Sequence, residues 1–102
     1  MEKENIQRHI DFLEKVSKEI SGETYQYRYG KNKKVRDQAG DTLDEACRKT
    51  DRYLEKNQDL FDFMVAHHAC DPNYLEYPEW DHIEADNRVY IDALKERLES
   101  DN

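Results

Sequence analysis

Six carboxylates and three large aromatic side chains lie within residues 71–86, a segment that contains no Lys or Arg and is called the acidic segment below. Carboxylates spaced along a loop and a helix can imitate the phosphates of a nucleic acid, and aromatic side chains supply the buried contacts that a protein interface needs. The alternative is a polar loop followed by an ordinary solvated helix face. We interpret the acidic segment as a partner-binding surface, with the contact residues Tyr74, Glu76, Tyr77, Glu79, Trp80, Asp81, Glu84 and Asp86.

A second group combines tyrosines with basic residues between residues 25 and 36. Tyr25, Tyr27 and Tyr29 alternate with polar residues, which predicts a strand with the rings on one face. The Gly-Lys-Asn-Lys sequence that follows has turn chemistry, so a short hairpin or an extended loop is expected here. Because an isolated hairpin is marginal in water, we expect the tyrosines to pack on the helices as core residues. The alternatives are a nucleic-acid-binding module and self-association with the acidic segment. The basic members of the group are Arg28, Lys31, Lys33, Lys34 and Arg36.

A third group contains metal-ligating residue types, namely His67, His68, Cys70 and Asp71 and, further along the chain, His82 and Asp86. Strong zinc patterns bring together two close pairs of ligands, and the other cysteine, Cys47, is far away in the sequence. The residues after Cys70 also lack the glycine and the glutamate that a calcium loop needs at its sixth and twelfth positions. We therefore expect no metal and no cofactor. A metal-binding or catalytic protein that uses this His/Cys cluster at residues 67–71 is kept as an alternative.

The sequence contains no Gly-rich phosphate loop, no G-x-S-x-G turn and no H-E-x-x-H pair. Pairs of carboxylates do not indicate a catalytic site here, because such pairs are expected throughout a chain with 24 Asp and Glu residues. The sequence therefore predicts a binding protein and not an enzyme, with no catalytic residues.

The elements that position these groups are predicted to be α-helices. Apolar residues recur at spacings of three and four over residues 3–21, over residues 42–70 and again after Pro78. Thr42, followed three residues later by a glutamate, has the spacing of a capping box and marks the predicted start of the second helix. Asn57 interrupts the apolar stripe, so we expect a break or a bend there.

The predicted fold class is mainly α: a small three- or four-helix domain, with a short extended or hairpin element after the first helix, in a single domain over residues 1–102. His9 lies at the edge of the first apolar stripe, where we expect a hydrogen-bonded boundary histidine and not a ligand. The residues expected in the core include Leu54, Phe61, Met64 and Trp80.

Composition limits the class of protein further. Only 36% of the residues are hydrophobic and 39% are charged, so the core of this 102-residue chain must be thin. The formal net charge is −8, and fields of this size act on solubility and partner choice more than on fold. The first residues lack the apolar stretch of a signal peptide, and no window approaches a membrane span. We expect a cytoplasmic monomer or homodimer with no membrane contact.

The stretch DEACRKTDRYLEKNQDLFDFMVAHHACDPNYLEY resembles the central helical part of phage anti-restriction DNA mimics of the Ocr type. The resemblance covers about a third of the chain and includes no invariant motif. It implies an acidic inhibitor that occupies a nucleic-acid-binding surface. The function expected from the sequence is therefore a small acidic inhibitor that binds the basic surface of a nucleic-acid-handling protein, as a DNA mimic, an immunity protein or an antitoxin does.

Overall fold

The computed structural model describes the backbone of residues 1–67 and 80–100, and the side chains of residues 1–67 and 87–100. Over these residues the chain is mainly helical and contains no strand, which confirms the predicted fold class in its general form. The five helices are α1 (Lys3–Ile20), α2 (Glu23–Tyr29), α3 (Lys33–Lys56), α4 (Gln58–Ala66) and α5 (Trp80–Ser100). None of the helices in this part of the chain is long and apolar enough to cross a membrane.

Helix α1 follows the sequence prediction closely. Its buried side chains lie on one stripe at spacings of three and four, and they include Ile6, Ile10 and Leu13. Gly22 follows the helix with a φ of +83°, a left-handed conformation that glycine adopts without a Cβ clash. This residue turns the chain directly into α2.

The predicted hairpin after α1 is wrong, because residues 23–29 form helix α2. In a helix, residues four apart are neighbours, and the rings of Tyr25 and Tyr29 lie with their centroids 5.1 Å apart. Residues two apart are separated by roughly 200° around the helix axis, so Tyr27 lies on the other side. The alternating pattern that indicated one strand face therefore distributes the tyrosines over two faces of a helix.

The predicted start of the second helix at Thr42 is also wrong. Helix α3 begins nine residues earlier, where the side chain of Asn32 accepts a hydrogen bond of 2.9 Å from the backbone N–H of Val35. This is an ordinary N-cap, and it satisfies one of the unpaired N–H groups of the first turn. Thr42 lies within the helix, and its hydroxyl donates to the carbonyl oxygen of Gln38 at 3.1 Å.

The break between α3 and α4 occurs at Asn57, as the interrupted apolar stripe predicts. The Asn57 side chain is buried, and its amide group donates to the carbonyl oxygen of Tyr53 at 2.8 Å. That contact occupies a carbonyl at the end of α3, which would otherwise lack a partner. Asp59 lies in the first turn of α4, and its carboxylate accepts a hydrogen bond of 2.9 Å from the Leu60 backbone N–H.

The core has two parts along helix α1. The larger cluster joins α1 to α3, α4 and α5, and the smaller one joins the end of α1 to the middle of α3. Leu54 and Met64 are buried as predicted, but Phe61 is only partly buried and Phe63 is buried in its place. The larger cluster contains Ile6, Ile10, Leu13, Leu54, Leu60, Phe63, Met64, Tyr90, Ile91 and Leu94.

Helix α5 packs along α1. The side chains of Asn87 and Ser17 approach to 3.4 Å, and Lys95 contacts Glu14 at 3.0 Å, so the two helices are antiparallel. The predicted stripe of α5 is buried at Tyr90 and other positions of the larger core cluster. The side chain of Trp80, the remaining predicted core residue, lies outside the described residues.

Candidate functional site

The predicted partner-binding surface is only partly within the described structure. Tyr74, Glu76, Tyr77 and Glu79 lie outside the described residues. Trp80, Asp81, Glu84 and Asp86 belong to the first two turns of helix α5, where the backbone alone is described. The helical backbone at these four positions agrees with the prediction that a helix follows Pro78.

Most ion pairs of the described side chains join acidic residues to basic residues on the same or an adjacent helix. On α3, Glu45 pairs with both Arg48 and Arg52, and hydrogen bonds from these guanidinium groups lower the pKa of the Glu45 carboxyl. The other pairs are Lys33–Asp37, Lys49–Glu19 and Lys95–Glu14. The sequence of the acidic segment provides no such basic neighbour within itself.

Tyr25 and Tyr29, called the outer tyrosine pair below, are exposed on helix α2. Their exposed fractions are 63% and 67%, and that of Tyr27 is 42%. The expectation that these tyrosines belong to the core is therefore wrong. Helix α2, which is seven residues long, contributes no buried residue.

Helix α2 is attached to α3 by close contacts between side chains and backbone atoms. The ring of Tyr27 lies over Gly40, where a Cβ atom would be only 3.2 Å from two ring carbons. At the end of α2, Arg36 donates to the carbonyl oxygen of Gly30 at 2.9 Å. A Cβ atom at Gly30 would be 2.5 Å from the carbonyl oxygen of Gln26, so this tight connection requires glycine. These contacts fix the position from which the outer tyrosine pair faces solvent.

The residues around this connection form a basic stretch, defined here as residues 28–36. It contains five Lys and Arg residues and no Asp or Glu. Lys31 and Lys34 are exposed, and Lys33 forms an exposed ion pair of 2.9 Å with Asp37. The structure thus places a basic surface beside two exposed aromatic rings.

His9 is completely buried and forms two side-chain contacts. Its Nδ1 atom lies 2.7 Å from the hydroxyl oxygen of Tyr53, and its Nε2 atom lies 3.1 Å from a carboxylate oxygen of Asp59. Because a carboxylate only accepts, Nε2 carries a proton, and Nδ1 accepts from the tyrosine when the ring is neutral. The expected hydrogen bonding of His9 is confirmed, but the ring is fully buried and does not lie at the boundary of the core. We call these three side chains the His9 network.

The electrostatics of the His9 network indicate a structural role. Burial by itself raises the pKa of Asp59. The hydrogen bond and charge of His9, together with the Leu60 N–H and the charge of Arg8, have a larger opposite effect, so the pKa is lowered overall. Burial raises the pKa of the Tyr53 hydroxyl. An activated tyrosine nucleophile needs a shift in the opposite direction. The network therefore joins α1, α3 and α4 without activating Tyr53.

Tyr53 also borders an open depression of about 240 Å³. Two of its three basic residues are already paired, Lys49 with Glu19 and Arg52 with Glu45, each at 3.2 Å. The ring of Tyr53 is stacked on Phe12 with 3.8 Å between centroids, so one of its faces is covered. The depression does not present a set of groups that would hold a ligand. Its lining residues are Phe12, Lys49, Arg52, Tyr53 and Lys56.

The predicted alternative metal cluster lies almost entirely outside the described residues. Only His67 is described, and its Nδ1 atom is 2.8 Å from the carbonyl oxygen of Phe63. Its ring also packs against the Phe63 ring, with 4.1 Å between centroids. Within residues 1–67 and 87–100, no three His, Cys, Asp or Glu side chains are grouped so that they could hold a metal ion. Cys47, the cysteine in this part of the chain, is buried in the smaller core cluster.

Sequence reasoning missed two groupings that the fold creates. It expected His9 to be hydrogen-bonded but named neither Tyr53 nor Asp59 as its partners, because these residues are 44 and 50 positions away in the sequence. It also assigned the outer tyrosine pair to the core. The spacing of four residues between Tyr25 and Tyr29 was the signal that could have indicated a shared helix face.

No family model matches this chain, and no match is found among curated proteins or solved structures.

Proposed function

We propose that this chain is a small acidic inhibitor without enzymatic activity, which binds the basic surface of a nucleic-acid-handling protein. The acidic segment, residues 71–86, is the proposed contact surface. Proteins of this kind include DNA-mimic anti-defence proteins of phages and mobile elements, immunity proteins and antitoxins. We propose a cytoplasmic location and a monomeric or homodimeric state.

The observation that carries this proposal is the separation of charge along the chain. The acidic segment contributes six carboxylates and no Lys or Arg, whereas elsewhere Glu14, Glu19, Asp37 and Glu45 all have basic partners. Carboxylates that are close together in the sequence repel one another, and a basic partner relieves that repulsion when it binds. Glu84 is an exception, because Arg88 follows it by four residues on helix α5, a spacing at which the two can pair.

Association driven by such a charge pattern is sensitive to salt and to competing nucleic acid. The rate of association is raised by electrostatic steering and falls as salt is added. A partner whose basic surface normally holds nucleic acid cannot hold both ligands at once. Binding of this chain should therefore compete with nucleic acid for the same partner.

The test begins with capture of partners by the wild-type protein and identification by mass spectrometry. One purified partner is then used to compare two triple variants of this chain. The first reverses three carboxylates of the acidic segment, Glu76→Lys, Glu79→Lys and Asp81→Lys. The matched control reverses three exposed carboxylates elsewhere, Glu2→Lys, Glu55→Lys and Glu96→Lys. Both variants change the net charge equally.

We expect the first triple variant to slow association by about tenfold or more at low salt, and the control to slow it much less. Stopped-flow or surface-plasmon measurements at low and high salt give the rates, and a nucleic acid competitor should displace the wild-type protein. Equal binding by the two variants, or binding that is insensitive to salt, would show that the acidic segment is not the contact surface.

A further inference from the structure

We propose that the outer tyrosine pair and the basic stretch of residues 28–36 form a binding surface for single-stranded nucleic acid. The proposal concerns the α2 and α3 region alone, and it does not depend on the function proposed for the acidic segment.

The exposure of the tyrosines is the first argument. Four large hydrophobic side chains are exposed in the described part of the chain, and three of them are the tyrosines of α2. The fourth, Val89, lies on α5. Contiguous exposed aromatic groups mark interaction surfaces more often than isolated apolar residues do. Because α2 has no buried residue, burial in the core does not explain the position of the outer tyrosine pair.

The arrangement of the two rings is the second argument. Tyr25 and Tyr29 lie 5.1 Å apart with an angle of 49° between their planes, so they are neighbours without being stacked face to face. Their exposed surfaces can be covered by flat ligand groups. Nucleic acid bases stack on aromatic side chains in this way and do so with little dependence on sequence.

The charge around the rings is the third argument. The basic stretch carries Arg28 on α2, three residues after Tyr25. Its exposed lysines, Lys31 and Lys34, follow two and five residues after Tyr29. Nucleic acid that stacks on the rings presents phosphates at the same time. Basic residues that follow the backbone of a single strand supply the complementary charge.

A single strand fits this surface better than a duplex or an acidic peptide does. In a duplex the base faces are already stacked on one another and cannot reach tyrosine rings on a protein surface. An acidic peptide satisfies the lysines but makes no use of exposed ring faces by stacking. A single strand therefore supplies what this surface can bind, namely unstacked bases for the rings and phosphates for the lysines.

The net charge of −8 sets the conditions for binding. Repulsion between phosphates and distant carboxylates is screened beyond about 10 Å at 0.1 M salt, whereas contacts with adjacent lysines are local. Attraction at the basic stretch must therefore act at short range, and binding should weaken as salt is added.

The experiment uses the full-length chain and a fluorescent oligothymidylate of about 12 nucleotides, a length within the range of known single-strand sites. Fluorescence anisotropy gives the affinity at several salt concentrations. A duplex of equal length and a polyglutamate peptide are tested beside it. Circular dichroism confirms that each variant is folded, which is expected because the substituted side chains are exposed.

The double variant Tyr25→Ser and Tyr29→Ser should lose about tenfold or more in affinity, since stacking on one aromatic ring contributes on the order of 1–3 kcal/mol per base. Its matched control, Tyr25→Phe and Tyr29→Phe, keeps both rings and should bind as the wild type does. The variant Lys31→Gln and Lys34→Gln should reduce the slope of log affinity against log salt by about 1.4, or roughly 0.7 per phosphate contact. The control Lys15→Gln and Lys18→Gln, on α1, should leave the slope unchanged.

The proposal is overturned if the wild-type chain does not bind oligothymidylate at low salt. It is also overturned if the serine variant binds as well as the phenylalanine variant, because stacking would then play no part. Equal or tighter binding of the duplex would show a surface that recognises phosphates in general. Equal or tighter binding of polyglutamate would show a surface for acidic protein segments.

Discussion

Two regions of the described structure contain aromatic residues whose surroundings differ. In the larger core cluster, Tyr90 is completely buried and Phe63 nearly so. On helix α2, Tyr25 and Tyr29 expose about two thirds of their surface. The same residue type, tyrosine, is thus buried in the core in one region and left in solvent in the other.

The difference follows from the length and the neighbours of the helices. Helices α1, α3 and α5 have 18, 24 and 21 residues, enough for several turns to bury one stripe between them. Helix α2 has seven residues and packs mainly on α3 through the Tyr27 ring. None of the described helices covers the residues on its outer side, where Tyr25 and Tyr29 are exposed. Tyrosines there contribute little to folding and are available for binding.

The largest expected effect comes from a direct comparison of two tyrosines. Tyr90→Ala should lower the free energy of unfolding by about 3–5 kcal/mol, because it removes a large, fully buried ring from the core. Tyr29→Ala should lower it by less than about 1 kcal/mol, since most of that ring is already in solvent. Urea unfolding followed by circular dichroism measures both. Similar losses for the two variants would contradict the division into a core region and an exposed region.

An intermediate effect is expected at the His9 network, which ties Tyr53 to the core region. The folded-state pKa of Asp59 is below its ordinary value of 3.8, so the carboxylate stabilises the fold above that pH. This stabilisation should be lost as the pH falls below about 3.8 toward the folded-state value. Asp59→Asn should cost about 1 kcal/mol at neutral pH, a modest figure because the carboxylate is partly exposed and screened by solvent.

The measurement for this prediction is urea unfolding between about pH 6 and pH 3. The difference in stability between the wild type and Asp59→Asn should shrink over the acidic part of that range. Asp62→Asn, an exposed carboxylate on the same helix, is the control and should leave the pH dependence nearly unchanged. A constant difference across the range would mean that Asp59 does not act through its charge.

The smallest expected effect concerns the attachment of α2 to α3. Gly40→Ala places a methyl group about 3.2 Å from the Tyr27 ring, so the ring must shift by a few tenths of an ångström. Alanine also favours the helix by up to about 1 kcal/mol, and we expect these opposing effects to leave the global stability within about 1 kcal/mol of the wild type. Hydrogen exchange should become faster in α2 and stay unchanged in α1. Faster exchange in both helices would show that α2 is part of the core region.

Much of the helical architecture could be predicted from the sequence. The apolar stripe of α1, the break at Asn57 and the stripe of α5 all depend on spacings of three and four, which a local pattern records directly. The start of α3 could not be located in this way, because residues 33–41 are mostly polar and the cap at Asn32 has no apolar residue beside it. The capping-box spacing at Thr42 was a false signal.

The sequence showed which residue types the candidate surfaces contain, but it did not show how those residues are arranged. The sequence shows that residues 28–36 are basic and that tyrosines precede them, but alternation alone cannot distinguish a strand with one aromatic face from a short helix with two. The packing of Tyr27 on Gly40 and the tight connection at Gly30 favour the helix, and both contacts involve tertiary neighbours or backbone geometry.

The sequence by itself determined the helical class, the thin core, the positions of the main stripes and the separation of acidic and basic residues, since these depend on local spacing and composition. Only the tertiary structure decided that the outer tyrosine pair faces solvent and that His9 joins Tyr53 and Asp59. The physical reason is that burial depends on which helices cover a side chain. Contacts between residues as far apart as 44 and 50 positions exist only once the helices have packed.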